Sequence, residues 1–164
     1  MRPPRILSER QGSWLLSLFP PLLFQRVRVR FADGFRECRV VIRRSLLTRN
    51  LHGTTFGGTI FAAADPIHAI MYWQRFARAG EHVQAWTRRG AVRYLEPATG
   101  HLVLRFRLED ADLAAARAAL DREGRFVRTH PVEARDAAGR ICAVVENEVY
   151  LRHPTGEGRG SAAF

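Results

Sequence analysis

Lysine is absent from this chain of 164 residues: all 26 basic residues are arginine, set against 16 acids, for a formal charge of +10. No block of five or six like charges marks a nucleic-acid arm, because the arginines are scattered from Arg2 to Arg159. Cysteine is scarce. Cys38 and Cys142 sit in separate segments without His or Cys at ligand spacing, which excludes a disulfide scaffold and a zinc finger and fits a reducing compartment. Uninterrupted hydrophobic runs are also missing. Phe56 to Trp73 comes nearest to a span, but Asp65 sits at its centre with Pro66 beside it, and a mid-bilayer carboxylate costs roughly 2.5–3.5 kcal/mol. The apolar run Trp14 to Phe24 is broken by Pro20-Pro21, and no small-residue cleavage site follows it. No internal repeat is visible. The expectation is a cytoplasmic protein with no membrane or nucleic acid among its partners.

What is present is enough for one domain, since a hydrophobic share of 46% is far from the composition of a disordered chain. Residues 1–25 read as an amphipathic N-terminal helix ending at the prolines, 26–151 as the domain proper, and 152–164 as a flexible tail. Val27, Val29 and Phe31 alternate with arginines, Ala32-Asp33-Gly34 makes a turn, and Cys38, Val40 and Ile42 resume the alternation. Thr59 to Arg78 is the one long helical stretch, and its first part is apolar almost all round, so it is expected to be buried. Val83–Leu95 and His101–Leu108 read as strands joined by a turn at Glu96–Gly100. A short helix over Glu109–Glu123 precedes a last hairpin, Arg125–Arg135 with Arg140–Leu151. One antiparallel sheet wrapped round one central helix follows, because only that helix is apolar enough to cover the sheet.

Two features carry candidate chemistry. Gly57-Gly58 opens the buried helix, where backbone N–H groups lack intrahelical acceptors and the helix dipole favours negative charge. The pair could hold a developing oxyanion, or could simply be a tight turn. Asp65 is the only acid between Glu37 and Glu81 and lies in the most apolar stretch of the chain. His68, three residues on, would share its helix face and be its natural partner. His52, His82, His101 and His130 are spread over separate elements, so no metal site is expected.

The loop Asn50-Leu51-His52-Gly53-Thr54-Thr55-Phe56-Gly57-Gly58, followed by the apolar helix with Ala64-Asp65, resembles the hotdog-fold thioesterases of the phenylacetyl-CoA type. Those enzymes carry Asn-x-x-Gly-x-x-His-Gly-Gly and then an Ala-Asp or Ala-Glu pair. The segment Val92–Gly100 is similar to the strand and turn that follow, and the likeness spans Arg26 to Leu151. A sister group with Phe-Gly-Gly fits still better, since Phe56 stands where the motif has histidine. The resemblance implies an α+β hotdog fold of six strands, a homodimer or dimer of dimers, no cofactor, and a coenzyme A thioester as ligand. It assigns Asp65 as general base or nucleophile and Asn50 as its helper. Gly57 and Gly58 would be the oxyanion site, and Phe56 and His68 would lie beside the substrate. Arg88, Arg89 and Arg93 would face coenzyme A phosphates. Two alternatives stand beside hydrolysis. One is a non-catalytic acyl-binding module, which Phe56 favours; the other is an enoyl-CoA hydratase, which Asp65-Pro66-Ile67-His68 partly echoes.

Overall fold

The computed structural model describes residues 5–154. Its six strands are β1 (Val27–Ala32), β2 (Glu37–Ile42), β3 (Gln84–Tyr94), β4 (Leu102–Arg107), β5 (Arg125–Arg135) and β6 (Ile141–Arg152). They form one sheet in the order β1-β2-β4-β5-β6-β3, antiparallel at every pairing. Alternation in the sequence fixes its faces: Val27, Val29 and Phe31 of β1 and Cys38, Val40 and Ile42 of β2 are buried, and the arginines between them are exposed. The expected tail 152–164 is outside the described residues from 155 onward, and Arg152 itself closes β6.

Two expectations need correction. The strands β3 and β4 are not a hairpin: β3 pairs only with β6, at one margin of the sheet, and β4 lies between β2 and β5. The central helix is also not continuous from Thr59 to Arg78. It divides into α3 (Gly57–Ala64) and α4 (Ile67–Arg78), flanking Asp65-Pro66. Pro66 has no N–H to give to the carbonyl of Ala62, and the sheet satisfies the neighbouring carbonyls. The Nδ2 of Asn147 donates to the carbonyl of Ala64 at 2.9 Å, and the Oγ1 of Thr87 donates to that of Asp65 at 2.6 Å.

Before the sheet come α1 (Glu9–Leu18) and α2 (Pro20–Phe24). A capping box between Ser8 and Gln11 starts α1. The two prolines do end it, but Pro20 then opens α2 from the first helical position, where its missing N–H costs nothing. The chain ahead of α1 is pinned to α4 by buried Gln74, whose Oε1 accepts from Leu7 N–H at 2.7 Å and whose Nε2 donates to Arg5 at 3.0 Å. Along α1, Ser13 and Ser17 serve the free margin of β1: Phe31 N–H donates to Ser13 Oγ at 2.9 Å and Val29 N–H to Ser17 Oγ at 3.0 Å. The last helix, α5 (Asp110–Glu123), is acidic in its first turn and ends on Gly124 at a φ of 68°, where glycine is unstrained.

Candidate functional site

The loop before α3 is built by hydrogen bonds. Asn50 Oδ1 accepts from the N–H groups of His52 and Thr54, and its Nδ2 donates to Thr54 Oγ1 at 2.8 Å. Both ends of this amide are thus engaged inside the loop. Phe56 N–H donates to Thr48 and Thr55 N–H to Ala98, each at 2.8 Å, which sets the height at which α3 begins. The first N–H satisfied in the turn is that of Thr59, bonded to Phe56 O at 3.0 Å. Gly57 and Gly58 are the first two residues of α3, and their N–H groups have no acceptor within the helix.

Two aromatic side chains cover these glycines. A Cβ at Gly57 would lie 2.5 Å from the Tyr94 hydroxyl, and one at Gly58 would lie 2.5 Å from Phe56 Cε1. A larger residue at either position would have to displace the ring above it. Both rings are more than half exposed, so they are movable covers, not core. Tyr94 closes β3 and brings a hydroxyl to Gly57. Sequence reading passed over it, and the only signal was the family-like run after Val92.

Asp65 ends α3, half-buried and without an ion pair among the described residues. Burial raises its pKa above the ordinary carboxylate value, and a hydrogen bond from Thr87 opposes the rise. Asn147 and Thr87 hold the backbone on which it sits, and sequence reading missed both. Fully buried Asn147 keeps its Oδ1 without a partner among the described residues.

His68 makes no hydrogen bond to Asp65, and its buried Nδ1 is without a partner among the described residues. Its ring is buried against the sheet, stacked on His130 with centroids 4.4 Å apart and edge-on to Phe106 at 5.1 Å. Burial first, and then His130, lowers its pKa to about 3, so it is a neutral core histidine. Arg88, Arg89 and Arg93 are exposed on β3, as expected for the strand after the helix. Arg88 sits at a bulge and contacts Glu148 at 3.1 Å.

Within one chain the glycines and Asp65 stand at opposite ends of α3. Eight residues of helix separate Gly57 from Asp65, about 12 Å at 1.5 Å per residue.

A six-stranded antiparallel sheet curled over a central helix defines a hotdog fold. Similar solved structures include a Pseudomonas aeruginosa protein of unknown function described as a probable thioesterase, with a TM-score of 0.80 and 15% identity over 91% of this chain and 98% of that one. A thioesterase from Haemophilus influenzae is similar at a TM-score of 0.67 and 12% identity, covering 97% of this chain and all of the other. The Escherichia coli PaaI protein of the phenylacetic acid degradation operon matches at a TM-score of 0.57 and 12% identity, over 91% and 98%. Residues 16–151 match the model of the family described as a domain of unknown function, DUF4442, and the chain belongs to that family. No curated protein matches it in sequence.

Proposed function

We propose that the protein is a homodimeric acyl-CoA thioesterase of the cytoplasm, each site combining Gly57 and Gly58 of one chain with Asp65 of the other. The carrying observation is the arrangement of α3, with N–H groups free of intrahelical acceptors at its start and, about 12 Å away at its end, a half-buried carboxylate that makes no ion pair among the described residues. The open margin of β3 supports a symmetric partner, since unpaired N–H and C=O groups there are a template for another strand. In the reaction, the glycine N–H groups donate to the thioester carbonyl oxygen as it gains charge. Asp65 takes a proton from water, whose oxygen bonds to the carbonyl carbon; the C–S bond then breaks and the thiolate leaves with its electron pair. Attack by the Asp65 carboxylate itself is the covalent variant. Asn50 acts through the loop it ties, which sets the position of Gly57, and Tyr94 supplies a hydroxyl beside the carbonyl. Arg88, Arg89 and Arg93 are placed to meet coenzyme A phosphates, with Arg88 first having to leave Glu148.

The test is a hydrolysis screen over diverse acyl-CoAs, followed by subunit mixing. Asp65→Asn and Gly58→Val chains are each expected to be inactive. Mixed dimers carry one intact site of two, so a randomised equal mixture should recover about one quarter of wild-type activity. Recovery of nothing, with mixed dimers demonstrated, overturns the shared site.

Phe56 favours a second reading, an acyl-CoA binder without turnover, because it removes a polar group from the glycines. Wild-type binding without hydrolysis, with Phe56→His creating turnover, would establish it. The hydratase reading loses its support, since His68 is buried in the core and stacked on His130.

A further inference from the structure

The outer face of the sheet, opposite α3 and α4, carries a row of arginines that the strand register sets directly side by side. Arg30 of β1 pairs across from Arg39 of β2, which pairs across from Arg105 of β4. Like charges directly opposite destabilise a sheet. Between this face and α1 runs a groove of about 670 Å³ lined by Arg10, Arg28, Arg30, Arg39 and Arg43 together with Trp14. None of these arginines, nor Arg105, makes a salt bridge among the described residues. The acid in the groove, Glu9, is turned to the N–H of Gly34. Neither Gly57, Gly58 nor Asp65 belongs to this groove.

A second observation adjoins the first. The face of α1 opposite its buried Gly12, Leu16 and Ser17 presents Trp14, Leu15 and Leu18, and Phe19 and Phe24 follow; their exposures run from 48% to 69%. Trp14 belongs to both features. A ridge of bulky apolar side chains bordered by cations without an ion pair among the described residues is the pattern of a surface seated at a bilayer interface.

We propose that α1, α2 and the arginine face dock this protein on an anionic lipid bilayer, with the apolar ridge in the headgroup boundary and the arginines on lipid phosphates. Charge complementarity selects the occupant. A second copy seated symmetrically would bring five more unpaired arginines against the first five. A nucleic acid would offer bases to Trp14 but nothing to Leu15 and Leu18, whereas acyl chains accept both. This is attachment to the surface, not a span: among the described residues no helix is long and apolar enough to cross a membrane. It revises the expectation that no membrane is a partner, and it stands apart from the proposed thioesterase site, whose residues it does not use.

The experiment is co-sedimentation of the full chain with vesicles of about three parts phosphatidylcholine to one part phosphatidylglycerol, beside pure phosphatidylcholine. Binding is expected to the anionic vesicles only, and to fall steeply between about 0.05 and 0.5 M NaCl. Arg28→Gln/Arg30→Gln/Arg39→Gln should weaken partitioning about a hundredfold, roughly fivefold per arginine, while the melting temperature holds or rises as like charges are removed. Trp14→Ser/Leu18→Ser should weaken it at least tenfold and abolish the blue shift of tryptophan emission on vesicle addition. The proposal is overturned by equal binding to both vesicles or to neither. It is likewise overturned if Trp14→Ser/Leu18→Ser breaks up an oligomer and leaves vesicle binding intact, or if the arginine variant loses only binding to DNA or to an acidic protein.

Discussion

At the scale of single residues, Asp65 is the informative position, because burial opposes its charge and no ion pair among the described residues offsets it. Its pKa is raised by burial, so hydrolysis that needs the carboxylate should rise with pH through a limb lying above the ordinary carboxylate range. Asp65→Asn should lower turnover about 10²–10⁴-fold at neutral pH and erase that limb, as read from a pH–rate profile. The sign for stability is opposite. A carboxyl whose folded pKa is raised favours the fold below its unfolded value, and that contribution is lost as pH rises through the folded value. Asparagine removes the burdened charge, so the melting temperature of the variant at neutral pH should not fall. A loss of stability with activity retained would reassign Asp65 to a purely structural role. Asp65 was legible in the sequence as the one acid in an apolar stretch. Its surroundings were not, since Thr87 lies 22 residues further on and no local pattern links the two.

At the scale of elements, the interruption between α3 and α4 is where sequence and structure part company. Apolar periodicity continues through Asp65-Pro66, so Thr59 to Arg78 reads as one helix. At the break the carbonyl of Ala64 is taken up by Asn147, 83 residues downstream. Its role is set by tertiary placement, opposite Gly90 on β3 and His130 on β5, and a β6 strand of alternating apolar residues announces nothing of it. Asn147→Ala should leave the Ala64 carbonyl unsatisfied in the core, costing about 1–3 kcal/mol in denaturant unfolding. It should also slow hydrolysis, because Asp65 hangs from the same turn. Unchanged stability would show that water or a backbone shift replaces the amide. The loop motif from Asn50 to Gly58 was legible because its hydrogen bonds are local. The strand order was not: β3 and β4 are neighbours in sequence with a good turn between them, yet β3 is claimed by β6 over its whole length.

At the scale of the whole molecule, composition hid two properties that appear only on assembly. Arg30, Arg39 and Arg105 each look like the wet face of a separate strand, and only the register makes them a row. The core likewise holds a pair of stacked histidines, His68 and His130, with Tyr72 Oη 3.1 Å from His130 Nε2. Both are lowered in pKa by burial, His68 to about 3; for His130, Asp112 opposes the shift and Arg128 adds to it. Stability from keeping them neutral is present above the unfolded histidine value and is lost as pH falls. The unfolding free energy should therefore decline from about pH 6.5 towards pH 3, by up to about 1.4 kcal/mol per pH unit for His68, and the melting temperature should fall with it. His68→Phe should flatten that decline in thermal melts at stepped pH, and an unaltered slope would place the acid sensitivity elsewhere. The two margins of the sheet also differ, since Ser13 and Ser17 occupy the backbone of β1 while β3 is left open. A unit with a single joinable margin is a chain terminator in the arithmetic of polymerisation. Each can accept one neighbour and then has nothing left to offer, so crowding this protein should yield pairs and never a strand-to-strand filament.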